Sequence, residues 1–418
     1  MAHHRNRFLI EALNKALQFS PLVGLLGHRQ VGKTTLLQEI CEEYITFDDE
    51  DEFKKAQKNA KLFLSELKKS KTALDECQYL PSLFPALKER VRINKKTGQF
   101  LLSGSVRFTS RKAIQESLTG RITNLELLPL SISEICQKQL PDTALRLLQS
   151  SSAESFADSV DTTLSSYLKM RKDRDLYLTR GGLPGVSFIR DPNIRTTRIK
   201  DQLSTILDRD LRMVYNTRIP FQQIINLLSF FAEHEGRPFT HSRIEQELRL
   251  TESTQKHLLH AFESIFLIRS IPVEGRKTHD MIYFEDQAEF HHLGGRKTST
   301  TLQLEGLLYR NIRIQFFYRL GIEASFFHYL TRGKARVPVA IRTNIGILGF
   351  IVIENELPTL SEKSSADSFL KTYQDAKLVY VSPNRKKIEI LSKRTLATPI
   401  ELFVVAPTSP ATSVPWPT

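Results

Sequence analysis

Apolar positions along the chain recur in two rhythms, a spacing near 3.6 residues and short continuous runs, and their alternation lays out helices and strands. Phe8, Leu9, Ala12, Leu13, Ala16 and Leu17 predict a helix over 5–18 with one buried face. Leu22–Leu26 reads as a short buried strand, and Leu36, Leu37 and Ile40 mark the inner face of the helix after it. Tyr44–Phe47 predicts a second strand, 53–70 a Lys-rich amphipathic helix with Leu62, Phe63 and Leu67 inside, and Thr72–Asp75 a third strand. Leu80, Leu83, Phe84, Leu87 and Val91 share a helix face ahead of a strand at Phe100–Ser105. A helix near 110–118, the turn Thr119-Gly120-Arg121, a further strand and the turn Pro129-Leu130-Ser131 close the series. Strands alternating with helices predict an α/β unit with a parallel sheet over 1–136.

The pattern then changes. A Ser-crowded stretch opens a 137–215 segment, read as a mobile connection or a polar helix pair. It continues into the tight turn Gly181-Gly182-Leu183-Pro184-Gly185 and a helix bearing Ile199, Leu203, Ile206 and Leu207. Over 216–290 three helices precede two strands, Leu267–Ile271 and Met281–Phe284, the order of a winged helix. Over 300–405 a helix at Leu304–Phe317 leads into strand candidates Phe326–Tyr329, Val337–Ile341, Leu348–Ile353, Leu378–Val381, Ile388–Leu391 and Ile400–Val405, with a helix at 364–375. The tail, 406–418, has too little apolar content to pack and reads as disordered.

The 418 residues suffice for two or three domains. Lys and Arg exceed Asp and Glu, giving a net charge of +13, which suits an anionic partner or a solvated surface. Three scattered cysteines make a disulfide framework or zinc site improbable on spacing alone. With no long apolar run and no secretion signal, a cytoplasmic protein without membrane contact is expected.

Gly27-His28-Arg29-Gln30-Val31-Gly32-Lys33-Thr34 fills the G-x-x-x-x-G-K-[ST] pattern between a strand and a helix, with Thr35 next. Glycines let backbone N–H groups approach phosphate oxygens, and the helix start turns its positive end toward the same anion. Lys33 then reaches the β- and γ-phosphates of ATP, and Thr34 offers a hydroxyl to Mg²⁺. Asp75 and Glu76 end the third strand, Asp75 placed to hold the metal and Glu76 to polarise the attacking water. Ser103 and Ser105 at the fourth strand's tip could touch the γ-phosphate or that water, or simply end the strand. The acidic run Asp48–Glu52 reads first as a solvated loop and second as part of the metal's surroundings. Lys256, His257 and His260 could face DNA phosphates, solvent or another domain.

Gly27–Thr35, Leu74-Asp75-Glu76-Cys77-Gln78, Leu102-Ser103-Gly104-Ser105, Ser117-Leu118-Thr119-Gly120-Arg121 and Leu128-Pro129-Leu130-Ser131-Ile132-Ser133-Glu134 together resemble the prokaryotic AAA+-like ATPases that carry a C-terminal domain of unknown function. The resemblance implies an ASCE-type sheet with the catalytic acid's strand between the P-loop strand and its neighbour. It implies a sensor at Ser103 or Ser105, and an Arg121 that contacts phosphate and offsets developing charge, in its own chain or from a neighbouring subunit of an oligomer. The segment 137–215 becomes a helical lid. For 300–405 it implies a restriction-endonuclease-like core in which Glu305 and Glu354 match acidic positions, while Pro338 stands at the strand Asp and Glu356 at the lysine. Phosphodiester cleavage needs clustered carboxylates for a metal and a cation, so a docking or oligomerisation platform without nuclease activity is expected. The reading is an ATP- and Mg²⁺-dependent ATPase that engages DNA or a protein through its winged helix, with a slow nucleotide-dependent switch or scaffold as the alternative.

Overall fold

The computed structural model describes residues 4–108, 120–160, 164–275 and 280–406. The helix expected near 110–118, the Ser117–Thr119 part of the quoted motif and the tail from 407 lie outside them.

Five parallel strands form the first sheet: β1 (Leu22–Leu26), β2 (Glu43–Thr46), β3 (Thr72–Asp75), β4 (Phe100–Gly104) and β5 (Ile122–Glu126), in the order β2-β3-β4-β1-β5. All five residues of β1 are buried, as a central parallel strand covered on both faces requires. Val23 and Leu25 pack with the Leu9–Phe19 helix, and Leu22 and Leu26 with Phe84 and Leu87 on the other face. The order corrects one expectation. The strand beside β1 is β4, which carries Ser103, and the strand of Asp75 lies one place further out.

The expected 53–70 helix is two, Glu50–Lys58 and Ala60–Glu66, because Asn59 leaves helical geometry and its Oδ1 accepts from Leu62 N at 3.0 Å. The acidic run belongs to the first of them: Asp49 caps it, accepting from Asp51 N and Glu52 N, and Glu50, Asp51 and Glu52 form its favourable acidic first turn.

The Ser-rich stretch forms helices at Thr143–Gln149 and Ala153–Asp158 that pack with the C-terminal unit, where Ala144 N donates to Gln315 and Lys377 Nζ to Leu147 O. Leu164–Arg180 follows, then the glycine turn, the Pro192–Thr205 helix and a π-helical turn at Ile206–Leu211 against the first sheet's side of the molecule. Helices Phe221–Glu233, His241–Leu248 and Glu252–Ser264 precede β6 (Ile268–Ile271), which pairs antiparallel with β8 (Met281–Phe284); the short β7 (Val273–Glu274) lies between them in sequence. A helix at Gln287–Leu293 leads on to the long Thr300–Phe317 helix.

The second sheet contains β7, β9 (Ala324–Leu330), β10 (Arg336–Thr343), β11 (Ile347–Val352), β12 (Lys377–Ser382), β13 (Glu389–Ser392) and β14 (Thr395–Pro399), ordered β13-β14-β12-β11-β10-β9-β7. Pro338 sits within β10 where the register with β9 shifts between Val337 and Ala340, the kind of irregularity that admits proline into a sheet interior. Ile400–Val405, expected as a strand, holds the short helix Glu401–Val404, and the strand is the preceding β14. A short apolar run buried all round carries no periodicity to separate the two, and here Gln315 of the long helix binds Phe403 O at 2.6 Å.

A buried charge cluster joins the two halves. Arg269 binds Glu126 and, at 2.8 Å, Glu285; Arg313 binds Glu285 at 2.5 Å; Arg107 reaches Glu126 at 3.4 Å.

Candidate active site

The loop after β1 is built for a backbone approach. Gly27 has φ 153°, and a Cβ there would sit 2.4 Å from Leu127 O, so no other residue fits. Gly32 has φ 104° with room around it, so conformation rather than crowding selects glycine. Gln30, at φ 59°, is a non-glycine in the left-handed region. Val31 is fully buried, and its carbonyl accepts from Arg7 Nη1 at 2.8 Å, which pins the loop to the segment before the first helix.

Lys33 starts the Lys33–Ile40 helix and folds back, Nζ donating to Gly27 O and His28 O at 2.9 Å each. Burial lowers its pKa, opposed by the charges of Glu76 and Asp75. Thr34, exposed, donates from Oγ1 to Asp75 Oδ2 at 2.7 Å. The same oxygen accepts from Tyr44 at 2.7 Å, and Oδ1 accepts from Ser103 and, at 3.0 Å, from Glu76 N. Glu76 stands at φ 57° with its carboxylate bonded to Gln78, whose amide also donates to Ser105 at 3.1 Å. Burial raises the Glu76 pKa, with Lys33 opposing. The structure thus brings together Lys33, Thr34, Asp75, Glu76 and Ser103 at the C-terminal ends of β1, β3 and β4.

Among the described residues no three His, Cys, Asp or Glu converge as a self-sufficient metal cage. A hydroxyl and one carboxylate, with positions left for water and phosphate, are the donor set that suits Mg²⁺. Thr34 and Asp75 fit it.

Two loop side chains are held by distant elements. Arg29 pairs with buried Asp210 of the π-helical turn at 3.0 Å, and His28 Nε2 lies 3.1 Å from Glu289 Oε2, both side chains 1% exposed. Burial lowers the His28 pKa but Glu289 outweighs it, and the net direction is upward. Asp286, which caps the Gln287–Leu293 helix and accepts from Gly182 N at 2.7 Å, is pushed up to about 6 by burial and by Glu289. Arg209, beside Asp210, binds Asp48 at 2.6 Å and lies 4.6 Å over the Tyr79 ring. A cavity of about 640 Å³ opens next to the loop, lined by Arg5, Arg7, Gly32, Thr35, Pro184 and Phe188 among others.

Arg121 does not join this group. It precedes Ile122, which is level with Leu22, whereas the loop leaves β1 after Leu26. The strand alone separates them by about 13 Å, at roughly 3.3 Å per residue.

Residues 20–136 match the family model of an AAA domain. This part of the chain is an AAA-type P-loop domain. Residues 171–287 match a family described only as a domain of unknown function. Uncharacterized proteins of Mycobacterium bovis and Mycobacterium tuberculosis are each 25% identical over 402 residues, covering 93% of this chain and 82% of theirs. Among solved structures, a DNA polymerase III gamma subunit-related protein of Thermotoga maritima is 13% identical, covers 62% of this chain and 98% of its own, and has a TM-score of 0.25. A protein of Vibrio cholerae is 10% identical over 88% of this chain and 90% of its own, with a TM-score of 0.19. Scores this low say nothing about what the chain does. No helix among the described residues is long and apolar enough to cross a membrane.

Tyr44, Asp210, Glu289 and Arg7 carry no motif, and Gln78 ends the Leu74–Gln78 motif with no role assigned to it, so sequence reasoning missed their part in the site. For Tyr44, Asp210 and Glu289 the available signal was a lone aromatic or acidic residue in an otherwise ordinary element.

Proposed function

We propose that the chain binds ATP with Mg²⁺ at Gly27–Thr35 and hydrolyses it. The observation carrying this is the 2.7 Å bond between Thr34 and Asp75 beside Lys33 and Glu76. On binding, the Lys33 ammonium exchanges the Gly27 and His28 carbonyls for β- and γ-phosphate oxygens. Thr34 and Asp75 would hold Mg²⁺, which when bound supplies charge neutralisation across the phosphates. Glu76, its basicity raised by burial, takes the proton of the attacking water, with Ser103 fixing Asp75 and Gln78 fixing Glu76. The 640 Å³ cavity is assigned to the nucleoside. Arg121, on the far end of the sheet, is assigned to the nucleotide of a neighbouring subunit in an oligomer.

Three helices and the β6/β8 pair support a winged helix that holds a protein partner rather than DNA. On the Glu252–Ser264 helix Lys256 is paired with Glu252 at 2.6 Å and His257 stacks on Tyr215 at 5.5 Å, leaving a nearly neutral exposed stripe. The 300–405 unit is read as a docking platform: Glu305 is paired with Arg336 at 2.5 Å, Glu354 with Thr301 at 2.6 Å, and Pro338 and Glu356 lack the expected chemistry.

Steady-state phosphate release with Mg²⁺, with and without DNA, tests the reading. Turnover that Glu76→Gln removes while ATP binding persists supports it. Tight ATP binding by the unaltered chain without turnover leaves the switch or scaffold instead.

A further inference from the structure

Among the described residues several buried or half-buried arginines face a carboxylate: Arg7 faces Glu134, Arg29 Asp210, Arg174 Glu401, Arg310 Glu235 and Arg336 Glu305. One cavity breaks that habit. It measures about 370 Å³ and lies between the end of the Leu164–Arg180 helix, the Pro192–Thr205 helix and the Gln287–Leu293 helix with the turn after it. Arg195, Lys200, His291, His292 and Arg296 line it, with only Thr179, Pro192, Thr196 and Ile199 between them. Among the described residues no carboxylate lines it, and none of the five basic residues forms an ion pair. It shares no lining residue with the cavity beside the loop.

Like charges gathered in a half-buried cleft repel, and they are relieved only in part, by Asp191 beside Arg195 and Glu289 beside His292. Both imidazoles register the field. Burial lowers the pKa of His291, helped by Arg296, Arg195 and His292; burial lowers that of His292, helped by Lys200 and Arg296 and opposed only by Glu289. Arg195 is half spoken for, one nitrogen donating to Ile189 O at 2.9 Å, so its guanidinium is held in place with donors remaining. Fixed guanidinium, mobile ammonium and two imidazoles around one concavity are a donor set for a multiply charged tetrahedral anion.

We infer that this cavity is a second anion site, distinct from the nucleotide loop, that takes the phosphate or pyrophosphate group of a phosphorylated ligand. The phosphate could belong to a free small molecule or to a nucleic-acid strand; the recognition chemistry is the same. Binding draws a proton onto the histidines, since the anion favours their charged form, so affinity increases as the pH falls through the imidazole range. The inference does not depend on ATP hydrolysis.

The test is calorimetric titration of the full chain carrying Lys33→Ala, which removes the loop's own phosphate cation. Pyrophosphate, and sulfate as an anion whose charge is constant with pH, should each bind saturably. Lys200→Glu with Arg296→Glu, both exposed positions, should weaken binding about tenfold or more, the size expected when charged hydrogen bonds are lost, while leaving the thermal midpoint in place. Sulfate should bind more tightly near pH 6 than near pH 7.5. A short single-stranded oligonucleotide that outcompetes pyrophosphate, and loses this in the reversed pair, places the phosphate on a nucleic acid; equal or weaker competition places it on a small molecule. No saturable uptake in the Lys33→Ala chain, uptake indifferent to the reversed charges, or a flat pH profile overturns the site.

Discussion

Asp75 shows how much of a site can hang on one carboxylate. It accepts hydroxyl hydrogens from Thr34, Tyr44 and Ser103, and losing its charge would leave those groups competing for a weaker acceptor. Asp75→Asn is therefore expected to fold but to lose Mg²⁺-dependent nucleotide affinity, read as ATP binding that no longer responds to added Mg²⁺. Lys33→Ala should abolish ATP binding outright, because it deletes the loop's fixed cation; binding by the variant measured with a fluorescent analogue would contradict the role. A different carboxylate governs acid stability. Burial alone would raise the Glu285 pKa, but Arg269 and Arg313 outweigh it and hold it down to about 2, against 4.5 unperturbed. A depressed carboxylate contributes stability that is complete above pH 4.5 and lost as the pH falls towards 2, so the chain should lose on the order of 3 kcal/mol from this group across that window. Denaturant midpoints for the parent and Glu285→Gln should converge at the acid end; parallel curves would exclude the group. The residues of Gly27–Thr34 and the Asp75-Glu76 pair were legible because a phosphate loop is a local pattern and its spacing survives in one dimension. Tyr44, Asp210 and Glu289 were not, since each acquires its role only when a distant segment arrives.

At the level of elements the apolar rhythm located the strands of the first sheet, most plainly β1, β3 and β4, which are short runs buried throughout. It failed where local capping or all-round burial decided the outcome. Asn59 splits a helix that the spacing alone would continue, and Asn59→Ala should cost about 1 kcal/mol while merging the two pieces, seen as a lower thermal midpoint without loss of helical signal. Gly182 shows the opposite sensitivity. A Cβ there would meet Leu130 O at 2.2 Å, backbone against backbone, so Gly182→Ala should destabilise by about 2 kcal/mol or more and loosen the turn beside the loop. A variant as stable as the parent would mean the turn can shift. In the Ser-rich stretch the structure has the helix pair rather than the mobile connection: its small polar residues serve as helix caps and exposed faces, and its apolar positions pack with the C-terminal unit.

Across the whole molecule, sheet order and register place Arg121 beyond reach of its own loop. Turnover per chain should therefore rise with protein concentration, and Arg121→Ala should depress it several-fold while leaving ATP affinity intact; equal loss in dilute and concentrated solution would argue against contact between subunits. The net charge of +13 predicts that any nucleic-acid association weakens steeply with added salt, and absence of a shift at low salt would leave the three helices and the β6/β8 pair to a protein partner. The anchoring of the loop by distant elements has a temporal side. Arg29 waits for Asp210, 181 residues later in the chain, and His28 waits for Glu289. At synthesis rates of about 5–20 residues per second, the loop emerges with Arg7 already in place and waits on the order of ten seconds or more before both distant partners exist. A nascent chain released short of residue 289 would carry every residue of the motif and lack one of its braces, and is expected to hold nucleotide poorly, so that competence for ATP is completed late in translation.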